Sequence, residues 1–297
     1  MKFLKRATPL LLAFCLLAGV LSAAAVDVGE TRTAIGADLT ADQIDTVYKT
    51  FGIDRGSVTE LTVTNADERQ YLEGVVSESV IGTHAISCVY VEVLPAGESI
   101  TVSTSHITYC TSQMYISALA TAGITDAKVI VAAPFDVSGT AALTGIYKAY
   151  ESITGEPLDE TAKEVSSQEL AVTSELAQEI GEYDSVEIVN QLKLILDETV
   201  NMTDDELREQ IIEIAKEYDV ELSDNQINQL IQLCRAMEKL DSSELLEKVQ
   251  AIQETLRQLA GAKERLSGFT GTVQEIAHQV VEAIGNFFNR LVELFKK

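Results

Sequence analysis

The chain has 297 residues, of which 46 are acidic and 22 are lysine or arginine, so its formal net charge is −24 at pH 7. Such a balance repels the phosphate backbone, which argues against nucleic acid as a partner. A chain of this length can bury one large core or two ordinary ones.

The first 25 residues predict a secretory signal peptide. Three basic residues within the first six positions precede an apolar segment at 10–20, and small residues offer a cleavage site near Ala25. The apolar segment is too short to span a membrane, although an uncleaved anchor is the alternative. Export would leave the mature chain secreted or at the cell envelope. It would move the net charge from −24 to −27, because the leader carries three positive charges and no negative ones.

Helix and strand patterns alternate as far as Gly155. A capping box at 40–43 starts the first helix, and Gly52 ends it. Two strands rich in valine, isoleucine, threonine and tyrosine, 85–94 and 100–109, are joined by a loop whose composition is typical of a hairpin. The other predicted elements are a strand at 58–64, a short helix capped at 65–68, a helix at 112–122, a strand at 128–133 and a helix that begins after Ser138.

These elements follow the order β-α-β-β-α-β, with one extra helix before them and one after them. This is the order of a ferredoxin-like split βαβ unit, an antiparallel sheet with helices on one face. The predicted fold class is therefore α+β, with an α/β domain over residues 26–157.

Residues 158–297 are predicted to form a separate, all-helical domain. Strand patterns vanish beyond Pro157, and helix-start signals recur, such as the capping box at 223–226. Apolar residues at steps of four and three from Leu245 to Leu259 have the spacing of a helix-packing seam. The predicted helices cover 160–180, 185–200, 204–219, 224–240, 243–266 and 272–296.

The stretch from Val129 to Tyr150 runs from an apolar strand through a short loop into a helix that is nearly free of charge. At the junction, Ser138, Gly139 and Thr140 are a candidate anion-binding turn, because N–H groups at a helix start point at anions. The spacing is not that of a phosphate-binding P-loop, since no lysine comes directly after Gly145. The favoured interpretation is a packing joint with a stripe of small residues: Ser138, Ala142, Gly145 and Ala149.

Two histidines and two cysteines resemble a zinc ligand set: His84, Cys88, His106 and Cys110. If 95–99 closes a hairpin, His84 faces Cys110 and Cys88 faces His106. The two pairs then lie four residues apart along the strands, or about 13 Å, too far for one ion to bind all four side chains. The same register predicts free thiols and no disulfide, with a two-ligand metal site at either pair as the alternative. No cofactor is predicted.

The last predicted helix, 272–296, carries a continuous apolar stripe. Its candidates for a membrane or partner surface are Phe287, Phe288, Leu291 and Phe295. The favoured interpretation is that this helix closes the helical domain, because its polar face carries glutamates and is not basic.

Several sequence runs are specific enough to suggest a family. They are IGADLT (35–40), VTNADE (63–68), IGTHAIS (81–87), TAGITDA (121–127), VAAPFDVSGTAALTGIYKAYE (131–151) and LSDNQI (222–227). These runs resemble the YpuA-like proteins, an uncharacterised secreted family of Gram-positive bacteria. The resemblance implies export, a two-part organisation and a chain of about this length. It implies no activity, cofactor or catalytic residue.

The sequence contains neither a nucleophile elbow nor a zinc-protease motif. The favoured hypothesis is a non-catalytic exported protein of the cell envelope, which binds an unknown envelope protein or polymer or associates with itself. The alternative is a hydrolase whose site surrounds the strand ends near His84, Thr104, Asp136 and Ser138. A membrane-surface protein that uses the last helix is a further alternative.

Overall fold

A computed structural model of the chain describes residues 28–267, with side chains as far as residue 259. The predicted signal peptide lies outside these residues, and so does the last predicted helix with Phe287, Phe288, Leu291 and Phe295. A sheet with helices is followed by a mainly helical half, which confirms the α+β fold class. Within the described residues, no helix has the length and apolar character needed to cross a membrane.

The sheet has five strands in the order β2-β1-β3-β5-β4. β1 is parallel to β2, β4 is parallel to β5, and β3 is antiparallel to its neighbours β1 and β5. Four strands therefore point one way and only the central strand points the other. The strands are β1 (Thr31–Gly36), β2 (Thr59–Val63), β3 (Cys88–Val93), β4 (Thr101–Ile107) and β5 (Ala127–Val137).

The predicted hairpin is wrong, because β5 lies between β3 and β4. The split, antiparallel arrangement is wrong as well, since the parallel strands of each βαβ unit are direct neighbours. β5 takes the inner place because its run from Val129 to Ala133 is almost entirely buried, as expected of a strand covered on both faces. The loop at 95–99 instead bonds to the start of β5, where the Asp126 carboxylate accepts from the N–H groups of Gly97 and Ser99.

Helices cover both faces of the sheet and not one face as predicted. α1 (Ala41–Phe51) packs on the face that carries Cys88 and Tyr90. The opposite face, with Val89 and Val91, packs against the helices that follow β4 and β5. These are α4 (Ser112–Thr121) and α5 (Thr140–Thr154), while α2 (Asn65–Leu72) and α3 (Glu78–Ile81) follow β2.

The helical half packs on the outer side of α4. Leu170, Val186 and Ile252 from three of its helices belong to the same buried cluster as the sheet residues. The predicted boundary after Pro157 falls in the loop between α5 and the next helix. The helices of this half are α6 (Glu160–Ile180), α7 (Glu182–Leu194), α8 (Leu196–Thr199), α9 (Asp204–Glu217), α10 (Asp224–Met237) and α11 (Ser242–Ser267).

Candidate functional site

Most of the sequence runs that suggested a family meet at one edge of the sheet. The parallel strands β1, β2, β4 and β5 all end at this edge, and each is followed by a helix that begins there. Strand β3 runs the other way, so the run 81–87 enters the same edge from the opposite direction. We call this region the carboxyl edge; it comprises residues 36–40, 64–69, 80–88, 106–111 and 134–140.

The runs bind one another at the carboxyl edge. The Asp38 carboxylate accepts a hydrogen bond of 2.8 Å from the backbone N–H of Ala85. The carbonyl oxygen of Gly82 accepts from the side chains of Arg69 (2.9 Å) and Asn65 (3.5 Å). Polar side chains of two of the runs, together with Arg69, therefore bond to the backbone of the run 81–87 and hold the loops in place.

The predicted anion-binding turn is occupied by the protein's own groups. Ser138 Oγ donates to the carbonyl of Val80 (3.1 Å), and Thr140 Oγ1 donates to the Glu68 carboxylate at 2.5 Å. The carbonyl of Gly139 accepts from the Tyr115 hydroxyl, also at 2.5 Å. The Glu68 carboxylate of the protein itself thus lies beside the start of α5, at the place predicted for an external anion.

The packing interpretation of the same stretch is confirmed for its three helical positions, whereas Ser138 lies before α5 and bonds to the carbonyl of Val80. Ala142, Gly145 and Ala149 lie on the face of α5 that is buried against the sheet. A methyl group built on Gly145 would approach Val89 to 3.2 Å, so the helix and the strand lie close together. The small-residue stripe is what allows this approach.

Glu68 is an unusual acid in this region because it is almost fully buried. Its hydrogen-bond partners are the neutral side chains of Thr140 and Asn65, while its neighbour Arg69 pairs with Glu78. Burial disfavours the charged carboxylate and raises the pKa of Glu68, against the opposing effect of the two hydrogen bonds. Glu68 is not among the sequence-predicted site residues, because its place in the predicted cap at 65–68 gives no sign of burial.

Replacing Glu68 with glutamine should reduce the dependence of stability on pH. The native state holds the Glu68 proton more tightly than the unfolded chain, so the contribution of Glu68 to stability falls as pH rises from 4.5, the ordinary value, through its raised pKa. We expect Glu68→Gln to match the wild type near pH 4.5 and to exceed it at pH 8, as measured by urea unfolding. The control is Glu98→Gln, in the exposed 95–99 turn. Equal pH slopes for the wild type and Glu68→Gln would contradict this account.

A β-bulge in β5 forms the exposed part of the carboxyl edge. Ser105 pairs with Ala132 and Ile107 pairs with Val137, so residues 133–136 lie opposite the single residue His106. His106 has a φ of 58°, and its Nδ1 lies 2.7 Å from a carboxylate oxygen of Asp136. The two side chains are 54% and 71% exposed. Bulges often occur where a strand must aim a side chain outward.

Phe135 lies within this bulge, and 45% of its surface is exposed. Together with His106 and Asp136 it forms what we call the bulge surface. Ring nitrogen Nδ1 of His84 bonds to the neighbouring Thr83 hydroxyl, and not to Ser138 or a buried acid. The four residues of the hydrolase alternative, His84, Thr104, Asp136 and Ser138, are therefore not hydrogen-bonded to one another, and Asp136 instead contacts His106.

The four candidate metal ligands do not converge. Cys88 is buried against α1 on one face of the sheet, and Cys110 is buried in the core on the other face. The prediction that His84 faces Cys110 and that Cys88 faces His106 is wrong, since β3 and β4 are not neighbours in the sheet. Cys88, Cys110 and Cys234 are free thiols. Among residues 28–267, no group of three or more histidine, cysteine or acidic side chains is placed to hold a metal ion.

Comparison with known proteins gives a family and no activity. A family model described as "Protein of unknown function (DUF1002)" matches residues 35–259. The "Uncharacterized protein YpuA" of Bacillus subtilis (strain 168) is 34% identical over 272 residues, which cover 91% of each chain. No solved structure gives a significant match.

Proposed function

This chain belongs to the DUF1002 family, and we propose that it is an exported protein of the cell envelope that acts by binding and not by catalysis. The proposal of export rests on the N-terminal pattern of basic, apolar and small residues. The proposal of binding rests on the carboxyl edge, where the hydroxyl and amide side chains hold loops together while the bulge surface stays exposed.

One observation carries the proposal: the bulge presents Phe135 to solvent beside His106 and Asp136. Aromatic residues, phenylalanine among them, are enriched in the buried cores of protein interfaces, and a few residues usually carry most of the binding energy. The bonds of Ser138, Thr140 and Asp38 fix the loops around it, so the surface is largely pre-formed. A pre-formed surface loses less entropy on binding.

The test is a pull-down from envelope extracts with the mature chain, residues 26–297, in the presence and absence of calcium. We expect one protein or polymer to be enriched, and we expect Phe135→Ala to reduce its capture at least about tenfold. Val200→Ala is the matched control, because it removes an exposed apolar side chain from the helical half. Equal capture by the wild type and Phe135→Ala would contradict the assignment of the bulge surface.

A hydrolase remains the second candidate because of one contact. A carboxylate that fixes a histidine ring through Nδ1 is the arrangement of a general base and its orienting group, and His106 and Asp136 have it. Turnover of a peptide or glycan library by the mature chain, lost in His106→Gln and kept in His84→Gln, would favour the hydrolase. Absence of turnover together with the expected capture would favour binding.

A further inference from the structure

A cleft of about 480 Å³ lies at the other end of α4 from the carboxyl edge. Its walls are the end of α4, the start of α6 and the turn between α10 and α11. Clefts of roughly 300–1,000 Å³ at the junction of two parts of a protein are frequent sites for small ligands. This cleft lies where the sheet half meets the helical half.

Two lysines in the cleft are unusual for this chain. Most lysines and arginines of residues 28–259 form an ion pair with a carboxylate within 4.0 Å. Among the described side chains the exceptions are Lys49, Lys239, Lys248 and Arg257, and both Lys239 and Lys248 line the cleft. Acidic residues outnumber basic ones about two to one, so unpaired lysines gathered at one place call for a physical explanation.

The carboxylates of the cleft form no ion pair within 4.0 Å with these two lysines. Asp159 accepts a hydrogen bond of 2.9 Å from the N–H of Ala162, and Asp241 accepts one of 2.9 Å from the N–H of Glu244. Both are therefore committed to the starts of α6 and α11, as helix-capping residues are. The Glu244 carboxylate forms no ion pair within 4.0 Å with another described side chain, although it lines the same cleft.

We propose that this cleft binds a zwitterionic ligand, such as a free amino acid or a short peptide. The ligand carboxylate would meet Lys239 and Lys248, and its ammonium group would meet Glu244. The apolar side chains of Leu158 and Leu245 would contact the ligand side chain. A purely anionic ligand fits less well, since the cleft also contains three carboxylates. This proposal is independent of the bulge surface.

Calorimetric titration of the mature chain with alanyl-leucine tests the proposal. We expect saturable binding to the wild type and a loss of affinity of about tenfold or more in the Lys239→Gln/Lys248→Gln double variant, because two charge-assisted hydrogen bonds are removed. Lys49→Gln is the matched control, since Lys49 is also unpaired but lies on α1, away from the cleft. Its affinity should equal that of the wild type.

Two modified peptides separate the roles of the charges. Glu244→Gln should weaken binding of alanyl-leucine, and acetylation of the peptide amine should remove the difference between Glu244→Gln and the wild type. Amidation of the carboxyl end should likewise remove the difference between the double lysine variant and the wild type. No saturable binding of the dipeptide to the wild type at millimolar concentration, or equal binding by the double variant, would overturn the proposal.

Discussion

Replacing Lys193 with methionine is expected to lower the free energy of unfolding by about 3–5 kcal/mol. Lys193 Nζ lies 2.6 Å from the Glu169 carboxylate, and the two side chains are 0% and 1% exposed. Without the lysine, the hydroxyl groups of Ser117 and Thr121 are the partners that the buried carboxylate keeps among the described side chains. Neutral donors do not replace a counter-charge in a site that water does not reach. The measurement is urea unfolding followed by circular dichroism.

The loss of stability should come from the Glu169 carboxylate, which is left buried without a counter-charge, and not from the loss of the ion pair itself. A buried ion pair that is replaced on both sides by apolar groups of similar size is often close to neutral in stability. The double variant Lys193→Met/Glu169→Leu should therefore recover most of the stability that Lys193→Met loses. Lys216→Met is the control, because Lys216 pairs with Glu213 on an exposed helix face and should change stability by less than about 0.5 kcal/mol. If Lys193→Met and Lys216→Met had the same free energy of unfolding, removing the lysine of the buried pair would cost no more than removing the lysine of an exposed pair, which would contradict this prediction.

The position of this network explains why it matters to the whole molecule. Ser117 and Thr121 lie on α4, Glu169 on α6 and Lys193 on α7, so the polar contacts join the sheet half to the helical half. The carbonyl of Ser117 also accepts from Lys193 Nζ at 3.0 Å. Polar groups in a buried interface accept few alternative arrangements, which favours one docking geometry over others.

The helix starts could be predicted from the sequence because a cap is a local structure. The capping boxes at Thr40 and Ser223 are present as predicted, each with a glutamine three residues later. The box at the start of α2 begins at Thr64, one residue earlier than predicted, with Asp67 as its partner. The seam of α11 is confirmed as well, since its positions from Leu245 to Leu256 are buried and Leu259 is partly buried.

The order of the strands could not be predicted, because it depends on contacts between distant residues. β1 was missed since its sequence, TRTAIG, has no clear alternation of apolar and polar residues. The hairpin was predicted from loop composition alone, but burial of both faces of β5 decided the pairing. The buried pair of Glu169 and Lys193 gave no signal either, since each lies in a helical pattern among many other charges.

Replacing Gly36 with alanine should also destabilise the fold strongly, by about 3 kcal/mol or more. A Cβ atom on Gly36 would lie 2.2 Å from the carbonyl oxygen of Ala85 and 2.7 Å from its carbonyl carbon. Both are backbone atoms, so no side chain can turn aside to make room. The segment cannot move away freely either, because the Asp38 carboxylate holds the N–H of Ala85.

Gly145→Ala is the matched control for this prediction. Its Cβ would lie 3.2–3.4 Å from side-chain atoms of Val89, Val63 and Ala34, which can shift by a few tenths of an ångström. The alanine also favours the helix by up to about 1 kcal/mol, so we expect a net change within about 1 kcal/mol. Thermal and urea unfolding of both variants should therefore separate them clearly. If Gly36→Ala were as stable as Gly145→Ala, the loop 81–87 would not lie against the end of β1, and the carboxyl edge would be assembled differently.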